Sequence, residues 1–182
     1  MNMKISLLLL PALLLSVTPL VAQERQRVSP RETVKANLEG ADITVAYGRP
    51  YSKDPKSGEK RKIWGGLVPF GKVWRLGADE ATVLTTSQRL DFNGAGVPAG
   101  SYSLFLLPKE DGSAKLIVNK QTGQWGTRYD ESQDLVRIDM KKEAPKNAAD
   151  QFTIAIDEND GGGVLKIMWE DAQYSAAFKP NS

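Results

Sequence analysis

The alternation of apolar and polar residues with a period of two is the feature that most constrains the fold of this chain. In a strand, Ile43, Val45 and Tyr47 would lie on one face, and Thr44 and Ala46 would lie on the other. No run of ten or more residues after the N-terminal segment shows a capped helical stripe. The same alternation recurs in seven further segments, which are residues 82–86, 100–108, 115–119, 136–140, 152–156, 165–169 and 174–178.

Glycine and proline punctuate nearly every gap between these segments, as is typical of short strands joined by turns. We therefore predict an all-β, single-domain β-sandwich over residues 33–180, jelly-roll-like, with roughly eight to ten short, mostly antiparallel strands. Residues 158–163, with three glycines, are expected to form a hairpin turn. Residues 104–107 are apolar on both faces, which predicts a central strand covered on each side.

The N-terminus has the layout of a secretory signal peptide. Lys4 is followed by an apolar run over residues 5–15 and by a more polar stretch that ends at Ala22. We expect cleavage near Ala22, then a polar leader over residues 23–32 and a soluble mature protein that is periplasmic or secreted. An uncleaved membrane anchor is the alternative, but Pro11 and Pro19 interrupt a run that would need about 20 apolar residues.

The chain contains no histidine and no cysteine, and this excludes several kinds of chemistry. Histidine or cysteine is needed for Ser-His-Asp and Cys-His catalysis, and for the usual zinc, copper and iron sites. Disulfide bonds need cysteine. The sequence predicts neither a cofactor nor a metal. The 24 basic and 22 acidic residues are spread along the chain with a net charge of +2, so nucleic acid is not an expected partner.

Residues 63–82 combine tryptophan, glycine and charge in a stretch without clear periodicity. The chain resembles an exported bacterial family known as domain of unknown function 2911 (DUF2911). The resemblance is seen in this run, in G-R-P at 48–50 and in P-A-G-S-Y-S-L-F at 98–105. The S-P-R-E-T-V-K-A opening at 29–36 and the closing W-E-D at 169–171 also resemble it. The resemblance implies a secreted or periplasmic β-rich domain and no particular activity. The chain departs from the family pattern in a longer loop before Lys62 and in Asp79, where Asn is commoner.

Aromatic platforms and charged planar groups in this region suggest a ligand-binding site. In this interpretation Trp64, Trp74 and Tyr51 stack on flat ligand faces, while charged side chains bind polar groups. The alternative is that the tryptophans fill the core and that Arg75 pairs with a buried carboxylate. The candidate ligand-binding residues are Arg49, Tyr51, Trp64, Trp74, Arg75, Asp79 and Glu80.

Three functional hypotheses follow from these features. The first is a non-enzymatic binding domain for a small molecule, a glycan or an envelope protein, with no catalytic residue. The second is a glycoside-hydrolase-like enzyme that draws two carboxylates from Asp79, Glu80, Glu170 and Asp171. The third is an envelope scaffold that recognises partners through sheet edges. Oligomeric state does not follow from the sequence. A calcium loop at 157–163 is disfavoured because Met168 occupies the position of the usual bidentate glutamate.

Overall fold

A computed structural model describes residues 27–181, which form eleven strands and one short 3-10 turn, Glu131–Gln133. No α-helix occurs within this range. The strands are β1 (Arg31–Leu38), β2 (Ala41–Gly48), β3 (Thr82–Thr86), β4 (Arg89–Phe92), β5 (Ala95–Val97), β6 (Gly100–Pro108), β7 (Ala114–Asn119), β8 (Asp134–Glu143), β9 (Ala149–Asn159), β10 (Gly162–Glu170) and β11 (Ala172–Asn181).

Hydrogen bonds join the strands in one curled, antiparallel sheet. Its main path runs β1-β2-β3-β6-β7-β8-β11-β10-β9, while β4 pairs with β11 and β5 with β4. The expected all-β, mostly antiparallel class is confirmed, with eleven strands rather than eight to ten. The additional strands are short or polar. Strand β1 begins at Arg31, inside the predicted leader, and its Arg-Glu-Thr-Val-Lys sequence gives only a weak apolar signal.

The core lies between the two halves of the curled sheet. Ile43, Val45 and Tyr47 of β2 are all buried in it, which confirms the predicted inward face. Ile167 of β10 and Phe152 of β9 approach from the opposite half. Each of these side chains removes apolar surface from water, at roughly 25 cal/mol per Å².

Strand β6 is covered on both faces, as its apolar sequence predicts. Leu104 and Leu106 lie in the main core, whereas Phe105 belongs to a second cluster with Ala81 and Ile117. Residues before β3 run beside β6, because the backbone N–H of Trp74 donates to the Leu106 carbonyl at 2.7 Å, and the reverse bond measures 2.9 Å. This part of the connection between β2 and β3 therefore lies in the plane of the sheet, beside the end of β6 that β3 does not cover.

The two ends of the sheet path lie close together. The Tyr47 hydroxyl of β2 accepts a hydrogen bond from the Ile154 N–H of β9 at 2.9 Å. Just after β2, the N–H of Phe152 donates to the Pro50 carbonyl at 2.9 Å, and Ser52 N–H donates to the Asp150 carbonyl at 2.7 Å. The long connection from residue 49 to residue 81 thus starts at this junction.

The predicted hairpin between residues 152–157 and 164–170 is confirmed. Asn159 pairs with Gly162, so Asp160 and Gly161 form the turn, and Gly161 has a φ of +68°. Asp157 pairs with Lys166 across the hairpin at 2.5 Å. The predicted signal peptide lies outside the described residues. Within residues 27–181, the structure has no helix of the length and hydrophobicity needed to cross a membrane.

Candidate functional site

A cavity of about 600 Å³ opens where the connection between β2 and β3 meets β6 and the end of β10. We call it the Trp74 cavity. Its size falls within the range of small-molecule sites, roughly 300–1,000 Å³. Its wall is predominantly apolar and contains Val28, Pro50, Tyr51, Pro55, Leu67, Pro69, Val73, Trp74, Ala78, Phe105, Tyr129 and Trp169, together with Gly77 and Gly126 and the polar residues Ser29, Arg61, Arg75, Asp79 and Thr127.

The exposed apolar side chains of the described residues gather around this cavity. Four large apolar side chains of residues 27–181 are strongly exposed, namely Val28, Tyr51, Leu67 and Trp125. The first three line the Trp74 cavity, and Trp125 directly precedes the lining residue Gly126. Large apolar residues on a protein surface mark interaction sites when they are contiguous rather than scattered. The mouth of the cavity therefore has the character of a binding surface.

Stacked tryptophans form the inner wall. The rings of Trp74 and Trp169 lie nearly parallel, with centroids 5.6 Å apart and an interplanar angle of 22°. Phe152 meets Trp74 edge-on at 5.1 Å and so holds the stack from behind. A register shift in β10 between Met168 and Glu170 places Trp169 at the point where the strand meets the cavity.

Two nitrogen atoms of wall residues are buried without a hydrogen-bond partner. Trp169 is fully buried, and its indole N–H has no acceptor among the described residues. The Nε of Arg61 is likewise buried and unpartnered, although an Nη of the same side chain donates to the Tyr51 carbonyl. A buried donor without a partner costs about 1–3 kcal/mol, so such donors commonly mark the place of a ligand or an ordered water.

Arg75 is held on the wall by its backbone neighbours rather than by a carboxylate. Its Nε donates to the Gly77 carbonyl at 3.2 Å. Its aliphatic stem lies on Gly126, where a Cβ atom would come within 2.8 Å of the Arg75 Cδ. Gly126 therefore has to be glycine for Arg75 to lie in this position. The alternative in which Arg75 pairs with a buried carboxylate does not match this geometry, since Arg75 forms no ion pair with any described residue.

The backbone beside Arg75 has an unusual conformation. Leu76 and Asp79 have φ values of +50° and +62°, a region that side chains other than Gly, Asn and Asp rarely occupy. Asp79 is fixed there because its carbonyl accepts the Gly126 N–H at 2.9 Å. Positive φ at non-glycine residues is concentrated at functional sites, where surrounding contacts maintain it. Here these contacts shape one wall of the cavity.

Tyr129 lines the opposite side and is locked by a polar cluster. Its hydroxyl donates to Asp134 Oδ2 at 2.7 Å and accepts from Arg137 at 3.0 Å, and its ring lies 4.8 Å from that of Phe105. Burial, followed by the hydrogen bond to Asp134, raises the pKa of Tyr129 to about 12. Tyr129 therefore stays neutral near pH 7 and contributes a fixed aromatic surface.

The structure divides the seven candidate residues between the cavity and other sites. Tyr51, Trp74, Arg75 and Asp79 all line the Trp74 cavity. The others, Arg49, Trp64 and Glu80, are not among its lining residues.

Those three side chains bind neighbouring protein groups instead. Arg49 donates to the Phe152 carbonyl at 3.1 Å and pairs with Glu32 at 2.5 Å, which ties β2 to β9. Trp64 donates its indole N–H to the Trp169 carbonyl at 3.0 Å. These contacts match the packing interpretation of Trp64, whereas Trp74 both packs in the core and borders the cavity.

Glu80 forms ion pairs with two arginines of the N-terminal segment. Arg27 contacts both of its carboxylate oxygens, at 2.6 and 2.8 Å, and Arg31 adds a bond at 3.0 Å. The hydrogen bonds from Arg27 lower the pKa of Glu80 from 4.5 to about 2. This ion pair fixes the segment that contains Val28 and Ser29 at the cavity rim.

The remaining carboxylates proposed for catalysis lie elsewhere. Glu170 pairs with Lys60 at 2.7 Å, and Asp171 is exposed. Among the described residues of the cavity wall, Asp79 supplies the one carboxylate. Residues 27–181 contain no group of three or more acidic side chains placed to hold a metal ion.

Arg61, Tyr129 and Trp169 line the cavity but were not among the sequence candidates. Trp169 belongs to the W-E-D run quoted for the family resemblance, which was a usable signal. Arg61 stands in a polar loop whose composition indicates only solvent exposure. Tyr129 lies in an irregular segment with no distinguishing motif, so its role depends on contacts across the fold.

Comparison with known proteins identified one family. A family model described as "Protein of unknown function (DUF2911)" matches residues 29–178, nearly the whole chain, which confirms the resemblance seen in the sequence. No curated protein and no solved structure matches the chain.

Proposed function

This chain belongs to the family of proteins of unknown function DUF2911, and we propose that it is a non-enzymatic protein that binds a small organic molecule in the Trp74 cavity. The single observation behind the proposal is that exposed apolar side chains and a buried, unpartnered donor are found at the same cavity. The four exposed large apolar side chains of residues 27–181 surround or adjoin the cavity, and one of its lining residues, Trp169, has a buried indole N–H without a hydrogen-bond partner.

The wall has the composition of a binding site rather than of a packing defect. Empty cavities in protein cores are apolar and dry, whereas ligand sites combine apolar walls with a few placed polar groups. Here Trp74 and Leu67 provide apolar surface. Arg75 has unused terminal nitrogens, and the lining residues Trp169 and Arg61 each have a buried donor without a partner. A ligand with a flat or apolar body and one hydrogen-bond acceptor group would complement both kinds of surface.

The two other hypotheses receive less support from the structure. Glycoside hydrolysis needs two carboxyl groups facing one cleft, and the described wall of the cavity offers Asp79 alone. Recognition through sheet edges needs an exposed edge, and the edge strand β9 is partly covered because residues 50 and 52 form backbone hydrogen bonds with it. Binding within the cavity accounts for more of the observed geometry.

A thermal-shift screen of the folded protein tests this proposal. The compounds are aromatic amides, aliphatic amides and carboxylic acids, with disaccharides for the glycan alternative. We expect at least one small organic compound to raise the unfolding midpoint, because a ligand that binds only the folded state stabilises it. The shift should fall by at least half in Tyr51→Ala and Leu67→Ala, which alter exposed side chains at the rim.

Glu158→Ala is the matched control, because Glu158 is exposed on the distant β9–β10 hairpin. It should keep the full shift. The proposal is wrong if no compound raises the midpoint, or if every shift survives unchanged in both rim variants.

We also propose that the protein is exported through an N-terminal signal peptide over residues 1–22. The layout of charge, apolar run and small residue in that segment supports this proposal. A ligand-binding role would then be exercised in the periplasm or outside the cell.

A further inference from the structure

We infer that the ligand of the Trp74 cavity is an organic anion, a carboxylate on an apolar body. This inference deepens the proposed function and rests on it. The described wall contains two guanidinium groups, Arg61 and Arg75, and a single carboxylate, Asp79. The lining residues of the cavity therefore carry an excess of positive charge.

Arg75 has donor groups available for such an anion. Its Nε is used by the Gly77 carbonyl, while its two terminal nitrogens make no hydrogen bond with any described residue. A guanidinium with two free terminal nitrogens matches the two oxygens of a carboxylate in a bidentate pair. Because Gly126 and Gly77 fix the stem, little side-chain entropy remains to be lost on binding.

Arg61 provides a second, partly buried charge. Its Nε has no partner, and the nearby Asp54 carboxylate accepts backbone N–H bonds from Lys56 and Ser57 at 2.8 and 3.1 Å. These bonds lower the pKa of Asp54. Asp54 thus supports its own turn. It lies close enough to Arg61 to interact with it electrostatically, but the two form no ion pair.

Trp169 contributes a buried donor beside the two guanidinium groups. Its indole N–H has no partner, and the residue lines the same cavity as Arg61 and Arg75. An indole N–H can only donate, so the group that satisfies it must be an acceptor. A carboxylate offers acceptor sites and a negative charge together, whereas an ammonium group has no acceptor site and carries a positive charge. The stacked Trp74 ring and Leu67 supply apolar surface for the remainder of the ligand.

Asp79 provides a way to change the charge without changing the backbone. At a φ of +62°, Asn is tolerated at least as well as Asp, so Asp79→Asn keeps the local conformation. The substitution removes the one negative charge of the described wall. If the ligand is an anion, this variant should bind it more tightly, which is the opposite of the effect expected from damage to a site.

Paired probes separate the charge of a ligand from its shape. We would titrate naphthalene-2-carboxylate, biphenyl-4-carboxylate and decanoate, each beside its neutral amide, into the mature protein by calorimetry. For at least one pair, we expect the acid to bind at least ten times more tightly than the amide. Asp79→Asn should tighten binding of that acid about three- to tenfold. The affinity for the amide should stay within about twofold of the wild-type value.

Arg75→Gln and Arg61→Gln should each lower the affinity for the acid about tenfold or more and change the affinity for the amide little. Two variants are used so that the test survives if one fails to fold, and circular dichroism confirms folding. Arg89→Gln is the control, since Arg89 is an exposed arginine on β4 that does not line the cavity. It should leave both affinities unchanged.

The outcomes distinguish failure of the anionic class from failure of the proposed function. Equal affinity of acid and amide overturns the anionic class while the cavity remains a binding site. Weaker acid binding in Asp79→Asn also overturns it. If no acid and no amide binds, both the anionic class and the proposed function fail.

Discussion

The described arginines differ in whether a carboxylate pairs with them. Arg137 is surrounded by Tyr129, Glu131 and Asp134, and Arg49 ties two strands together. Arg61 and Arg75, which line the cavity, have no ion-pair partner among the described residues. Because an arginine stays charged under all relevant conditions, these two arginines of the cavity wall are expected to attract a ligand.

The ion pair between Glu80 and Arg27 gives a prediction about acid stability. The pKa of Glu80 is lowered in the folded state, so its stabilising contribution is present above pH 4.5 and is lost as the pH falls toward about 2. The Glu80 side chain is 34% exposed, which reduces the contribution to about 1 kcal/mol. Glu80→Gln should lower the free energy of unfolding by that amount near pH 7.

Urea unfolding at several pH values measures this effect. The difference between wild type and Glu80→Gln should shrink as the pH falls below 4.5. Glu158→Gln, in which an exposed glutamate without an ion pair is neutralised, should show almost no difference at any pH. Equal stability of wild type and Glu80→Gln near pH 7 would contradict the prediction.

At the scale of elements, the connection between β2 and β3 determines the site. It runs beside β6 through the hydrogen bonds of Trp74 with Leu106, and it turns sharply at residues 76–79 before entering β3. Its close approach to β2 depends on Gly48. A Cβ atom at this position would lie 2.4 Å from the Ala78 carbonyl oxygen.

Gly48→Ala should therefore displace the wall of the cavity. Because the clash is with backbone, we expect a loss of about 2–3 kcal/mol in the free energy of unfolding and weaker binding of any cavity ligand. Chemical denaturation and calorimetry measure the two effects. Gly123→Ala is the comparison. It has a φ of +80° but open space around it, so strain alone should cost about 1 kcal/mol. Similar losses in both variants would show that the close approach is unimportant.

At the scale of the whole molecule, contacts between distant parts of the chain hold the cavity together. Trp64 donates to the Trp169 carbonyl across 105 positions, and Tyr47 meets Ile154 across 107. The N-terminal segment reaches the same region, because Arg27 and Arg31 bind Glu80 beside Val28 and Ser29. The cavity is therefore built from the beginning, middle and end of the described chain.

Export is the prediction that belongs to this scale. The full chain expressed in a bacterium with two membranes should be recovered from the periplasm or the medium, with a new N-terminus close to Gln23. Cell fractionation and mass spectrometry of the purified protein measure this. Replacing Leu8 and Leu9 by arginine interrupts the apolar run and should keep the protein in the cytoplasm. An unprocessed N-terminus in every fraction would contradict a cleaved signal.

Local patterns in the sequence were sufficient for most of the strands. Alternation identified the inward faces of β2, β9 and β10 because one buried face imposes a period of two. It missed β4 and β5, which are too short to show a period, and β1, whose polar residues resemble a leader. Three of the four candidate residues that line the cavity, Trp74, Arg75 and Asp79, lie in the irregular segment 63–82, whose composition marked it as unusual.

The sequence by itself determined the all-β class and the turns, and it excluded histidine and cysteine chemistry, because these depend on residue type and short-range spacing. Tertiary structure decided which tryptophan borders the cavity and which arginines remain unpaired. It also brought Arg61 and Trp169 to the same wall. Such choices depend on contacts between residues far apart in the chain, and no local pattern specifies which of several similar side chains will find a partner.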